Sequence, residues 1–174
     1  MPLLVLAYPR ISHTDFEWIR EIRARHDERY FKLVDPHFTL VFPVTGIEQS
    51  VFSSHVKQQL AGVEPISFVL RRAIVIEDDS KKFSHVFLVP DEGFSEVVKL
   101  HDRLYDGVLA PELRLDIDFI PHIGVGNAAE VRTCKLLADE LNAQKFRLEG
   151  LIDRLDVVLY EHNQVRTVER IDLQ

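Results

Sequence analysis

The sequence has a single cysteine, fewer basic than acidic residues and no long apolar run. Each of these features excludes a class of protein. Cys134 is the single cysteine, which excludes an intramolecular disulfide framework, and no Cys-x-x-Cys pair or zinc-ligand cluster surrounds it. No stretch approaches the roughly 18 to 20 apolar residues of a membrane span. The apolar N-terminal run also lacks the preceding basic residues of an export signal. We therefore expect a cytoplasmic protein that does not enter a membrane.

Acidic residues outnumber basic ones, 28 against 21, and the net charge is -7. This balance is the opposite of the basic surface that grips a long nucleic-acid backbone. If nucleic acid is a substrate, a small or terminal piece is expected, without extended binding. The 174 residues are 46% hydrophobic, which is enough to form a buried core without disulfide bonds or structural metal ions. No Gly-, Pro- or Ser-rich linker divides them, so we expect a single two-lobed domain over 1–174. We also expect a monomer.

An internal repeat organises the chain. Its halves, about 1–80 and 81–174, show the same order of strand and helix patterns, and the Pro-His pairs at His37 and His122 lie 85 residues apart. Each half predicts a β-α-β-α-β unit. The predicted fold class is α+β: an internally duplicated, bilobal fold whose pseudo-twofold-related lobes turn mixed or antiparallel sheets toward a central cleft, with helices outside.

Capping signals mark two of the predicted helices. Thr14 and Glu17 have the spacing of a capping box at the start of the first helix, and Asn127 and Glu130 have it at the start of the last. The side chain at the first position of such a box bonds a free backbone N–H. We therefore expect Thr14 and Asn127 to be N-caps.

The two Pro-His pairs place one histidine at the start of the central strand of each half, after a proline that fixes an extended approach. Side chains alternate along a strand, so His37 shares a face with Thr39, and His122 shares a face with Gly124. If the pseudo-twofold axis brings these faces together, the cleft holds two imidazoles, one hydroxyl and the exposed backbone beside Gly124.

Two imidazoles suit the opening of a cyclic phosphodiester. One takes a proton from water and the other gives a proton to the leaving ribose oxygen, and imidazole does either near neutral pH. The Thr39 hydroxyl can donate to a non-bridging oxygen whose charge grows in the transition state. No metal ion or other cofactor is expected.

The segment from His37 to Leu40, HFTL, resembles the H-Φ-[S/T]-Φ motif of the two-histidine phosphoesterases, which include the 2′-5′ RNA ligase-like proteins and cyclic phosphodiesterases. The segment HIGV, beginning at His122, resembles the second copy, with Gly124 where that superfamily has Ser or Thr. The resemblance covers most of the chain and implies an enzyme that hydrolyses a small cyclic nucleotide or an RNA terminus. It implies His37 and His122 as catalytic residues, with Thr39 and, in part, Gly124 binding substrate.

Other interpretations stay open beside this one. A catalytically weakened member would bind a nucleotide or an RNA end without turnover, and a scaffold would use the Pro-His strands only as core elements. Gly124 and Gly126 equally suit a bulge or a close backbone approach. The remaining histidines have no metal-site spacing, so we expect them at the surface: His13, His26, His55, His85, His101 and His162.

Overall fold

The computed structural model describes residues 1–174 and contains nine strands, four α-helices and one 3₁₀ helix. In chain order these are β1 (Leu3–Ala7), β2 (Arg10–Ile11), α1 (His13–His26), β3 (Phe38–Val44), α2 (Gln49–Leu60), β4 (Ile66–Glu77), β5 (Ser84–Glu92), α3 (Phe94–Leu104), the 3₁₀ helix (Gly107–Glu112), β6 (Ile123–Ala128), α4 (Val131–Ala143), β7 (Leu148–Ile152), β8 (Arg154–Glu161) and β9 (Gln164–Asp172). None of the helices is long and apolar enough to cross a membrane.

The strands form two sheets in which every pair is antiparallel. The first sheet has the order β3-β1-β8-β9, and the second has the order β2-β7-β4-β5-β6. The predicted bilobal α+β class is confirmed. The expectation that the histidines start central strands is wrong, because β3 and β6, which follow them, lie at sheet edges. A strand pattern does not reveal how many neighbours a strand has.

Each sheet takes strands from both halves of the sequence. From the second half, β8 pairs with β1, and from the first half, β4 pairs with β5. The first helix of each half also packs against the other half. Helix α1 contacts β6 of the second half, and α3 contacts β3 of the first half. The repeat therefore does not produce one separate lobe per half. The exchanged elements tie the two halves into one body.

A single core of 35 buried apolar residues joins the two sheets. Phe38 of β3 and Phe68 of β4 belong to different sheets, yet their rings meet edge to face with centroids 5.0 Å apart. Along β3, Phe38 and Leu40 are buried whereas Thr39 between them is only half-buried. The core therefore occupies one face of this strand, and the other face is left for the cleft.

Helix α1 starts from a different cap than the capping-box pattern predicts. Its N-cap is Ser12, whose Oγ accepts a hydrogen bond from the backbone N–H of Asp15 at 3.1 Å. Thr14 lies inside the first turn. Ser and Thr both suit the N-cap position, and the actual cap stands two residues earlier than the predicted one.

The second predicted capping box is also not formed. Asn127 lies in β6, and the N-cap of α4 is Glu130, which makes no side-chain cap bond. The Asn127 amide instead donates to Asp27 at 2.6 Å, across 100 residues of sequence. A tertiary contact has replaced the local one that the pattern predicts.

A buried ion pair closes the end of α1. Arg23 Nε donates to Asp27 Oδ2 at 2.8 Å, and the two side chains are 3% and 4% exposed. Arg23 Nη2 donates to the carbonyls of Tyr30 and Val34. Asp27 Oδ1 accepts from the Tyr30 backbone N–H as well as from Asn127. The turn that leads into β3 is therefore fastened both to α1 and to a strand of the other sheet.

We expect Asp27→Ala to lower the free energy of unfolding by roughly 3 to 5 kcal/mol, because it leaves the Arg23 charge buried and unpaired. Urea denaturation followed by circular dichroism measures this. Glu21→Ala is the matched control, since Glu21 and Arg25 form an i,i+4 pair on the same helix with side chains about 70% exposed. That variant should lose less than about 0.5 kcal/mol. Similar losses in the two variants would contradict the assigned role of Asp27.

Candidate active site

His37 stands directly before β3 and is held by its own backbone. Its Nδ1 lies 2.7 Å from the carbonyl oxygen of Asp35. A carbonyl can only accept, so Nδ1 carries the proton and Nε2 is the unprotonated nitrogen of the neutral ring. No protein group bonds Nε2. The Nε2 atom of His37 is therefore free to bind a ligand.

His122 is held in the same way directly before β6. Its Nδ1 lies 2.6 Å from the carbonyl oxygen of Ile120, and Nε2 is again left without a protein partner. In addition, the ring of Phe87 on β5 stacks flat on the imidazole, with centroids 3.4 Å apart and planes 10° apart. The two histidines thus share one backbone arrangement, and only His122 carries an aromatic neighbour in contact with its face.

The electrostatic setting of the two rings is also shared. Burial lowers the pKa of His37 to about 4, against an ordinary 6.5, and does the same for His122. The charge of His37, together with that of His85, further lowers the pKa of His122. Both imidazoles are therefore neutral at pH 7.

Thr39 and Gly124 occupy the expected positions two residues beyond the histidines. Thr39 is half-buried and pairs with Leu6 of β1, while Gly124 pairs with Phe87 of β5. A Cβ built on Gly124 would meet no atom within 4 Å, so no close approach requires glycine there. The close approach is at Gly126, where a Cβ would lie 2.8 Å from the Leu137 side chain. The β-bulge of this strand pair falls between the two glycines.

Tyr8 is a cleft residue that the sequence analysis did not single out. Its ring centroid lies 6.1 Å from that of His37. Burial, followed by the charges of Asp156 and Asp35, raises the pKa of Tyr8 to about 12. The hydroxyl therefore stays protonated and able to donate throughout the physiological range. In the sequence, Tyr8 is recognisable only as an aromatic residue directly after a predicted strand. That position alone does not distinguish a cleft residue from any other aromatic residue at the end of a strand.

The remaining histidines are not all at the surface, contrary to expectation. His55 and His101 are buried: Nε2 of His55 lies 2.9 Å from the Leu104 carbonyl, and His101 stacks on Phe119 at 3.6 Å. His85 is half-buried on β5, two residues from Phe87 on the face that carries His122. Polar neighbours in sequence did not reveal burial that arises from tertiary packing. No three His, Cys, Asp or Glu side chains are grouped closely enough to hold a metal ion.

Comparison with known families decides the classification. The sequence profile of the 2′-5′ RNA ligase superfamily matches residues 11–164, most of the chain. This chain belongs to the 2′-5′ RNA ligase superfamily. The resemblance carried by the two Pro-His motifs is confirmed at this level.

Two sequence relatives carry provisional phosphoesterase names. The relative from Geobacillus sp. (strain WCH70) is 24% identical over 152 residues, which are 87% of this chain and 85% of the relative. The relative from Bacillus licheniformis is 25% identical over 148 residues, 84% and 83% of the two chains. Both relatives are thus named for phosphoester chemistry.

Solved structures share the fold over nearly the whole chain. E. coli LigT in complex with 3′-AMP matches with a TM-score of 0.56 and 15% identity, covering 99% of this chain and 97% of LigT. Kluyveromyces marxianus Usb1 matches with a TM-score of 0.58 and 9% identity, covering 99% and 97%. At these identities the likeness concerns the fold, and it supports the bilobal architecture of this superfamily.

The lowered histidine pKa values predict a loss of stability in acid. The folded chain binds fewer protons than the unfolded chain between about pH 4 and 6.5, so the contribution of His37 and His122 is complete above pH 6.5 and declines as the pH falls toward 4. The free energy of unfolding of the wild type should therefore fall between pH 7.5 and pH 5. His85 and His101, whose pKa values are also lowered by burial, act in the same direction.

Urea unfolding at the two pH values measures this dependence. A His37→Gln/His122→Gln double variant should lose less stability on acidification than the wild type, because glutamine does not titrate. His13→Gln, at an exposed position in α1, is the control and should keep the wild-type dependence. An unchanged dependence in the double variant would show that the two rings do not titrate as described.

Proposed function

We propose that this chain is a metal-independent phosphoesterase that opens 2′,3′-cyclic phosphodiesters of nucleotides or RNA ends by general acid–base catalysis at His37 and His122. The observation that carries the proposal is the matched pair of imidazoles. Each fixes its proton on Nδ1 through the carbonyl two residues earlier and leaves Nε2 unpartnered. The influence of one ring on the pKa of the other supports a shared site.

In the proposed reaction, water attacks phosphorus while the bond to one ribose oxygen breaks. The neutral imidazole takes the proton of the attacking water at Nε2, and the protonated imidazole gives its Nε2 proton to the leaving oxygen. The product is a ribose phosphomonoester. The Thr39 hydroxyl donates to a non-bridging oxygen as its charge grows, and the backbone beside Gly124 borders the opposite side. The pseudo-twofold relation makes the acid and base roles interchangeable between the two rings.

A small ligand fits what is known of the chain and its relatives. LigT has been solved with 3′-AMP and with ATP, and two relatives are named for phosphoester chemistry. The net charge of -7 opposes the counterion-release binding of a long strand. We infer a cyclic nucleotide or a terminal RNA residue as substrate.

A reducing cytoplasm suits the buried, unpaired Cys134.

A second candidate function is nucleotide binding without turnover. The observation that favours it is Gly124, which brings no hydroxyl to the phosphate at the position equivalent to Thr39. In that case 3′-nucleotides would bind in the cleft, and incubation with a cyclic nucleotide would yield no phosphomonoester.

The decisive assay is hydrolysis of adenosine 2′,3′-cyclic phosphate in excess EDTA. We expect turnover by the wild type, because two imidazoles supply both proton transfers. His37→Ala and His122→Ala should each lower kcat by roughly 10²- to 10⁴-fold, the usual effect of losing a general acid or base. His13→Ala, at an exposed position outside the cleft, should leave kcat unchanged. Loss of all activity on chelation, or full activity in either cleft variant, would refute the proposal.

Gly124→Thr should raise kcat by roughly 10- to 100-fold if the site lacks one donor, since a hydrogen bond to a charged oxygen contributes about 1.5 to 3 kcal/mol. The backbone of Gly124 does not have positive φ, and an added Cβ has free space. Gly126→Thr is the control: its Cβ would fall 2.8 Å from Leu137, so it should lower the melting temperature instead. A folded but no faster Gly124→Thr enzyme would show that no donor is missing.

A further inference from the structure

Strand β4 has an open edge over its last residues. Strand β7 pairs with β4 only from Ile66 to Leu70, whereas β4 continues to Glu77. Strand β5 covers the other edge of this stretch. Past Leu70, no strand of the sheet covers the edge that faces away from β5. An uncovered strand edge presents backbone groups that can pair with another chain.

Two observations give the direction of the backbone groups at this edge. The Asn142 side chain of α4 accepts from the backbone N–H of Ala73 at 2.8 Å and donates to the Ala73 carbonyl at 2.9 Å. On the opposite edge, the Asp78 N–H donates across the β4–β5 hairpin. Backbone groups of successive residues alternate between the two edges of a strand, so Val75 and Glu77 point the same way as Ala73. Asn142 satisfies the edge at Ala73, and the N–H and C=O groups of Val75 and Glu77 follow it.

An apolar groove runs beside this open edge. It is lined by Val75 of β4 and by four residues of α4, namely Val131, Arg132, Lys135 and Leu136. Val131 and Leu136 are 58% and 62% exposed, because other residues form the core-facing side of α4. Exposed apolar side chains that are grouped and bordered by charge are typical of a surface that binds another protein. We call these five residues the α4 groove.

The α4 groove and the cleft lie on opposite faces of the second sheet. Ile74 pairs with Phe87, the residue that stacks on His122, so their side chains share the cleft face. Val75 follows Ile74 in the strand and points to the other face, where α4 packs. A ligand in the α4 groove therefore does not contact the proposed catalytic residues.

The charge of the α4 groove indicates the kind of partner that fits it. Two of its residues are cations and none is acidic, although the whole chain has a net charge of -7. Lys135 pairs with Asp139 on the same helix, whereas Arg132 forms no ion pair. A second copy of this chain, placed here about a twofold axis, would bring the same cations together. An acidic segment of a different protein is therefore favoured.

We propose that the open edge of β4 and the α4 groove form a docking site for an extended, acidic segment of a partner protein, which adds to the sheet beside Val75 and Glu77. Strand addition takes its affinity from backbone hydrogen bonds and its specificity from alternate side chains. The side chains that face α4 are apolar in the middle of the segment, where they cover Val131 and Leu136, and acidic beside it, where they meet Arg132. This inference does not depend on the proposed phosphoesterase activity.

The probe is a fluorescent peptide, acetyl-Thr-Glu-Thr-Val-Thr-Leu-Thr-Glu-Thr-amide, which places its Glu, Val and Leu side chains on one face of a strand. Fluorescence anisotropy measures its Kd. We expect saturable binding, and weaker binding when Lys replaces both Glu. Val75→Pro should raise the Kd at least about 10-fold, because it removes an N–H from the open edge and leaves the bonds to β5 in place. Val75→Thr keeps that N–H and should bind like the wild type.

Two isomeric peptides test strand addition from the side of the probe. One carries an N-methyl group on the amide of its Val, and the other carries it on the amide of the Thr that follows. Successive amides of a strand point to opposite edges, so only one of the two methyl groups lies against β4. One isomer should lose binding and the other should keep it. Loss in both, or retention in both, would overturn strand addition.

Amide hydrogen exchange, followed by NMR, locates the bound peptide. Saturating peptide should slow the exchange of the Val75 and Glu77 amides, whereas the Ile74 amide, which is directed toward β5, should change little. Leu136→Ala should weaken binding. Leu115→Ala, which truncates a leucine that is 88% exposed and lies outside the α4 groove, should not. Protection confined to other segments, or equal effects of the two leucine substitutions, would overturn the site.

Sedimentation equilibrium separates a partner protein from a second copy of this chain. The chain alone should stay monomeric at the concentrations of the binding assay. Self-association that Val75→Pro abolishes would assign the open edge to a second copy and overturn the proposal. The absence of saturable binding by the acidic peptide, or equal binding of the acidic and the basic peptide, would overturn it as well.

Discussion

The buried ion pair between Arg23 and Asp27 is the contact on which the geometry of the cleft depends. A charge with so little exposure is tolerated only when its hydrogen-bonding capacity is met, and here both partners reach beyond each other. Arg23 binds the carbonyl of Val34, close to the start of β3, and Asp27 binds Asn127 in β6. Edge strands have a neighbour on one side only. One carboxylate thus links the segments that present both histidines.

Much of this arrangement could be predicted from the sequence because it repeats. The offset between His37 and His122 indicates equivalent strands, and alternation along those strands places Thr39 and Gly124 beside them. Most strands and helices were likewise evident from their periodicity. The edge position of β3 and β6, and the exchange of strands between sheets, depend on pairings between distant segments that periodicity does not encode.

The unpredicted features of the site share a physical cause. Phe87 looks like an ordinary strand residue, and Tyr8 looks like an ordinary strand end, until neighbouring strands bring each of them beside a histidine. Asn127 satisfies a local capping pattern and yet bonds Asp27. In each case tertiary contact decides the role, and a single sequence records only local preference.

The desolvation of the two imidazoles affects when one of them can become protonated in the proposed mechanism. With pKa values of about 4, both imidazoles are neutral before substrate arrives, although acid–base catalysis needs one of them protonated. A phosphodiester anion between the rings favours the charged form and raises the pKa of its neighbours. In the proposed mechanism, proton uptake therefore accompanies substrate binding. A neutral pair of imidazoles avoids the cost of a buried, uncompensated charge.

The pseudo-twofold relation holds for the two histidines and breaks down in what surrounds them. His37 has hydroxyl groups nearby, from Thr39 and from Tyr8, whose raised pKa keeps it a donor. His122 has Phe87 against its face and Gly124 beside it, and neither side chain can bond an oxygen. The duplicated framework thus repeats the two histidine-bearing strands but not the side chains around them. Because an added Cβ at Gly124 would meet no atom within 4 Å, the walls differ in chemistry rather than in space. The first sheet therefore has hydroxyl donors near its histidine, whereas the second has an aromatic face and a residue without a side chain beside the other histidine.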